Sequence, residues 1–167
     1  RIDDEMIILD MGLYMPKIVD FEEAGNTRQA SSAEQLISIG AIPNDRILNS
    51  YKEKVKAIIL SHCHLDHCGA TPFLAPRYNA PVISTPYTIE VLKSMMQDDN
   101  LQIPNPLRSV NPNSTIQVSR NIKVEFINMT HSTLQTSLIA VHTKYGIVLY
   151  ANDFKLDNNP VLGKPYN

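Results

Sequence analysis

Val55-Lys56-Ala57-Ile58-Ile59-Leu60 runs straight into Ser61-His62-Cys63-His64-Leu65-Asp66-His67-Cys68-Gly69-Ala70. The first six residues are a short apolar run rich in β-branched residues, the pattern of a buried strand. The next ten hold four potential metal ligands between His62 and His67. Histidine offers a neutral nitrogen and aspartate an anionic oxygen, and both suit Zn²⁺ or Mn²⁺. A lone buried histidine is more often a satisfied structural residue. Four such groups at one strand end are costly to desolvate unless they are paired or metallated. A strand that empties into ligands puts the site at the edge of a sheet, where loops carry function.

Working outward, Met6–Leu9 is a second strand candidate and ends in Asp10-Met11-Gly12. Residues 19–49 are mixed, with a helix start predicted at Ser31 as N-cap and Glu34 three residues on. A short helix is expected over 70–78 despite Pro72 and Pro76, and a third strand over 81–84. Thr85-Pro86 then opens a helix, with Thr85 as N-cap and Val91, Leu92, Met95 and Met96 as its apolar stripe. The second half reads as strands over 115–118, 122–129, 137–142 and 146–150. Ile122, Val124 and Phe126 alternate there with Lys123 and Glu125. Strands with intervening helices, then a run of strands, predict an α/β sandwich of two sheets with outer helices.

The 167 residues suffice for one domain with a core. The net charge of −2 gives no global positive field, which argues against nucleic acid as a partner without excluding a local basic groove. No apolar run approaches the roughly 20 residues of a membrane span, and the N-terminus lacks the order of a secretory signal. Cys63 and Cys68 flank the ligands and are expected as reduced thiols in a cytoplasm. Neither is expected to bind metal, and His142, mid-strand, reads as structural or surface. Arg1 at the start and Tyr166-Asn167 at the end read as cuts through a longer protein.

The order His62-x-His64-x-Asp66-His67 resembles the signature of the metallo-β-lactamase superfamily. The resemblance implies an αββα sandwich and two divalent metal ions, Zn²⁺ or else Mn²⁺. It assigns His62, His64 and His131 to the first metal, and Asp66 and His67 to the second. Asp153 would be the bridging carboxylate. Alone, His131 could equally be a capping residue and Asp153 a turn residue. Asp10, after the first strand, matches a family position that orients a ligand. Two metals about 3.5–4 Å apart would lower the pKa of a shared water and polarise the scissile group.

Residues 80–93, 130–137 and 150–160 resemble the β-CASP nuclease branch, most closely archaeal ribonuclease J. This implies an RNA substrate, 5′–3′ exonuclease and also endonuclease activity, Asp66 as proton acceptor, and a homo-oligomeric full-length protein. On this resemblance residues 1–167 are the first part of the catalytic domain, and the β-CASP insertion and the C-terminal remainder lie outside it. That remainder would carry the last histidine of the second metal. Two other readings compete. One is a small-molecule metallo-hydrolase acting on thioesters or lactones. The other is a non-catalytic RNA-binding subunit, which intact ligands argue against.

Overall fold

Residues read as buried strands in the first half are apolar on both faces because both faces are covered. The computed structural model describes residues 1–166; Asn167, the last residue of the expected domain segment, lies outside the described residues. β1 (Met6–Leu9), β2 (Val55–Ile59), β3 (Val82–Ser84) and β4 (Leu107–Ser109) form one sheet in that order. Every pairing in it is parallel. On β2, Ile58 points to one side with Leu60 just beyond it, and Ala57 and Ile59 point to the other. The first side packs with Ile18, Leu36, Leu74, Leu92 and Met96 from the helices. The second packs with Val124, Phe126, Ile139 and Val141 from a second sheet.

That second sheet is an antiparallel meander of β5 (Ser114–Gln117), β6 (Lys123–Asn128), β7 (Ser137–Thr143) and β8 (Gly146–Tyr150). The predicted alternation holds: Ile122, Val124 and Phe126 are fully buried while Lys123 is exposed. The helices are α1 (Met15–Glu23), α2 (Ala33–Ser38), α3 (Leu65–Cys68), α4 (Thr71–Leu74) and α5 (Pro86–Asp98). A helix layer on a parallel sheet, facing an antiparallel sheet, supplies three consecutive layers of the expected αββα sandwich. Among the described residues no helix is long and apolar enough to cross a membrane.

Several local expectations are corrected. The α2 N-cap is Ser32, whose Oγ accepts from Gln35 N at 3.2 Å; the Ser31 hydroxyl instead donates to the Thr27 carbonyl at 2.9 Å. Glu34 makes no capping box and pairs with Arg46 and Arg77. The segment 70–78 splits into α4 and a 3-10 turn over Ala75–Arg77, because Pro76 cannot donate to a continuing helix. Thr85 does precede α5 in an extended conformation, but its hydroxyl makes no capping bond and donates to the Gln135 carbonyl at 3.2 Å. α1 and β4 were not predicted. β4 is three residues with only Leu107 apolar, and it forms because β3 offers it a parallel edge.

Candidate metal centre

The centre is built where β1 and β2 end side by side. Leu9 pairs with Ile59, and Asp10 N donates to the Ile59 carbonyl at 2.9 Å, so Asp10 lies level with Leu60 and its carboxylate reaches the next residue, Ser61. Asp10 takes a left-handed conformation, φ 60°, which aspartate tolerates better than most residues. Its carboxylate, with 7% of the side chain exposed, collects four donors. Oδ1 accepts from Ser61 N at 2.7 Å. Oδ2 accepts from Ser61 Oγ at 2.7 Å, His67 Nδ1 at 2.8 Å and the Tyr150 hydroxyl at 2.9 Å.

Asp66 and His67 sit on α3, which the residues after β1 brace from below. Met11 N donates to the His67 carbonyl (2.7 Å), Leu13 N to the Leu65 carbonyl (2.9 Å) and Ala70 N to the Met11 carbonyl (2.8 Å). Gly12 permits this approach: a Cβ on it would fall 1.7 Å from the Asp66 carbonyl oxygen. His131 follows β6. Lys155 N donates to the Thr130 carbonyl at 2.8 Å, and this bridge draws the segment bearing Asp153 beside the loop bearing His131.

Partner polarity then fixes the imidazoles. A carboxylate only accepts, so His67 carries its proton on Nδ1 and turns Nε2 outward. The one hydroxyl proton of Ser61 also goes to Asp10. Ser61 Oγ therefore accepts from His62 Nδ1 at 3.0 Å, which leaves the His62 lone pair on Nε2. His64 Nδ1 lies 3.1 Å from His62 Nε2 and 3.2 Å from His131 Nε2. One proton can serve only one of these two contacts, whereas one cation between them serves all three nitrogens. Tetrahedral zinc, with bonds of about 2.0–2.1 Å, separates its nitrogens by about 3.3 Å, close to what is seen. Burial, reinforced by His67 and His64, pushes His62 down to about 4, and burial also lowers His131, so both favour the neutral form that ligates.

His67 Nε2 faces two carboxylates, Asp153 Oδ2 at 3.5 Å and Asp66 Oδ2 at 3.8 Å. The hydrogen bond that His67 gives to Asp10 raises its pKa, ahead of the opposing effect of burial. Two sets of side chains bring ligand atoms within 4.8 Å of one another: His62, His64 and His131, and His62, His67 and Asp153. The sequence reading paired Asp66 with His67 and Asp153. In the structure Asp66 lies outside both sets, its side chain 55% exposed. All six predicted ligands thus gather in one cluster, graded from buried His62 to exposed Asp66 and Asp153.

His142 stands apart, its Nε2 2.7 Å from Glu125 Oε2 on the neighbouring strand. Cys63 contacts the Thr133 hydroxyl at 3.0 Å and Cys68 donates to the Cys63 carbonyl; both are free thiols outside the two ligand sets. Sequence reasoning missed Ser61, Ser132 and Tyr150. Ser132 Oγ lies 3.4 Å from His64 Nε2. Ser61 directly precedes His62 and could have been found by asking what holds Nδ1; Tyr150 carries no local signal.

Residues 41–156 match the family described as the beta-lactamase superfamily domain. This chain belongs to the beta-lactamase superfamily. Within the superfamily it is similar to Ribonuclease J of Methanocaldococcus jannaschii, 45% identical over 98% of this chain and 36% of the relative. It is 41% identical to Ribonuclease J of Pyrococcus abyssi, over 96% of this chain and 35% of that protein. The chain thus spans about a third of the length of these relatives. A solved protein of unknown function from Enterococcus faecalis V583 shares the superfamily fold, with TM-score 0.67 and 22% identity over 92% of this chain and 39% of its own. A metallo-beta-lactamase from Cronobacter sakazakii does so with TM-score 0.59 and 18% identity, over 97% of this chain and 57% of its own.

Proposed function

We propose that the protein bearing this chain is a metal-dependent ribonuclease, a 5′–3′ exonuclease that also cuts internally. The observation that carries this reading is the meeting of three imidazole nitrogens beside His67 and Asp153, in a chain 45% identical to a Ribonuclease J. His62, His64 and His131 would hold one divalent ion. His67, Asp66 and Asp153 would hold a second. Zinc fits the nitrogen-rich first set best, and manganese fits the carboxylate-richer second set as well. Such ions supply Lewis acidity toward a phosphodiester and a water acidic enough to ionise near neutral pH.

The chain's own residues do the rest. Asp10 keeps His67 in one tautomer and Ser61 keeps His62 in one. The exposed Asp66 is free to accept a proton from water. A cleft of about 560 Å³ adjoins the His131 loop, and Asn113, Gln135 and Lys164 in its wall offer amide and ammonium groups to a polar substrate. Residues 1–167 are then the first part of a metallo-β-lactamase domain completed around a β-CASP insertion. The same reading makes the protein cytoplasmic, with Cys63 and Cys68 reduced, and homo-oligomeric.

The test uses the complete protein, purified with its metal, on 5′-phosphorylated RNA labelled at the 3′ end. Wild type should digest it from the 5′ end, and Asp66→Ala should lose at least about 100-fold of that rate, the loss typical of removing a proton-transfer group. RNA left intact while a thioester or lactone is hydrolysed would overturn the assignment in favour of the small-molecule reading.

A further inference from the structure

Three of the four donors on the Asp10 carboxylate come from the helix-covered sheet and the loop that follows it. The fourth, the Tyr150 hydroxyl, comes from the last residue of β8 on the other sheet. We infer that Tyr150 is a positioning residue for the second cation position: it pins the end of β8 to Asp10 and so sets the separation of Asp153 from His67. This rests on the metal-centre reading above.

The covalent path explains why a pin is needed. His67 is carried by α3, braced on the residues after β1. Asp153 hangs three residues past the end of β8, and its side chain is 54% exposed. β8 pairs only with β7 among the described strands, and Ile147, Val148 and Leu149 on it are more than half exposed, so of its apolar side chains only the Tyr150 ring packs against the inter-sheet cluster. Downstream of Asp153 the Thr130–Lys155 bridge holds the chain to the His131 loop; upstream, two side-chain links tie the end of β8 to the rest of the centre. Asn152 Nδ2 donates to the Ser137 carbonyl at 3.2 Å, which stays within the second sheet. The Tyr150 hydroxyl donates to Asp10 Oδ2 at 2.9 Å and crosses between the sheets. It lands on the oxygen that His67 Nδ1 also reaches, 2.8 Å away. One oxygen thereby references both His67 and the strand that leads into Asp153. The tyrosine ring packs against the inter-sheet cluster, so the hydroxyl is delivered from a rigid support.

A tyrosine that merely satisfied its own hydroxyl would affect folding and nothing else. A positioning tyrosine acts on one cation position more than on the other, because its hydroxyl bonds to Asp10, which holds His67 directly and His62 only through Ser61. Tyr150→Phe removes one oxygen and keeps the ring, so the fold is retained. In the complete protein, stepwise zinc affinities measured by competition with a chromophoric chelator should show two steps. The variant should weaken one step by about 10-fold, within the range for partners that orient ligands, and leave the other within about twofold. Both zinc steps unchanged, or both weakened equally, would each overturn the inference while leaving the metal-centre reading intact. A wild-type protein that binds no zinc or manganese would overturn that reading, and the inference with it.

Discussion

Replacing Gly12 with alanine should displace the helix that carries Asp66 and His67. The added Cβ would sit 1.7 Å from the Asp66 carbonyl oxygen and 2.3 Å from its carbon. Real Cβ atoms keep about 3.0 Å, so the two backbones must part by about 1.3 Å. No rotamer change relieves a clash between a Cβ and backbone. Three hydrogen bonds hold these backbones together, from Met11 N, Leu13 N and Ala70 N. At about 0.5–1.5 kcal/mol each, breaking all three costs about 1.5–4.5 kcal/mol. Alanine's smaller unfolded-state entropy returns about 0.4–1 kcal/mol where the backbone conformation is permitted. The net loss of about 0.5–4 kcal/mol lowers Tm by about 1–16 °C for a domain of this size. A ligand helix moved by about 1 Å should also cost on the order of 100-fold in RNA cleavage. Thermal unfolding by circular dichroism, zinc content and RNA cleavage of the complete protein measure the three effects. A Gly12→Ala variant with wild-type Tm and full metal content would refute the claim that this close approach places α3.

Two further outcomes check the division between site and scaffold. His142→Gln should retain metal content and RNA cleavage within about twofold, because its partner Glu125 lies on the neighbouring strand, away from the ligands; lost metal in the purified variant would put a ligand where none is expected. Phe126→Ala empties the middle of the inter-sheet cluster, where Phe126 is wholly buried. It should cost about 3–5 kcal/mol in denaturant unfolding, and a cost below about 1 kcal/mol would mean that the sheets are not packed through it.

How legible a feature was in the sequence depends on where its cause lies. β2 and β6 were legible because burial writes directly onto them: a continuous apolar run where both faces are covered, an alternation where one face is. The ligand cluster from His62 to His67 was legible because four costly polar groups stand together in the chain. His131 and Asp153 needed the family resemblance, since their proximity depends on the Thr130–Lys155 bridge and not on any local pattern. The N-cap of α2 was misplaced by one residue because Ser31 and Ser32 are chemically alike, and only the preceding turn, which takes the Ser31 hydroxyl, decides between them. β4 was illegible because its cause is an open edge on β3.

The polarity of the centre descends from strand register. Parallel pairing sets Leu9 against Ile59, and so brings Asp10 level with Leu60, its carboxylate within reach of Ser61. A slip of one residue would turn every side chain of β1 to the opposite face. It would bury the Asp10 carboxylate without donors and strip His67 Nδ1 and the Ser61 hydroxyl of their acceptor. With the register as it is, an acceptor-only group stands at the root of a chain of donors. His67 must give Asp10 its Nδ1 proton, Ser61 must give its hydroxyl proton, and His62 must in turn give its Nδ1 proton to Ser61. Both histidines are left with bare Nε2 atoms on the side where His64, His131 and Asp153 gather. The apolar runs that determine the register thus also determine, three hydrogen bonds later, which nitrogen atoms are free to take a metal.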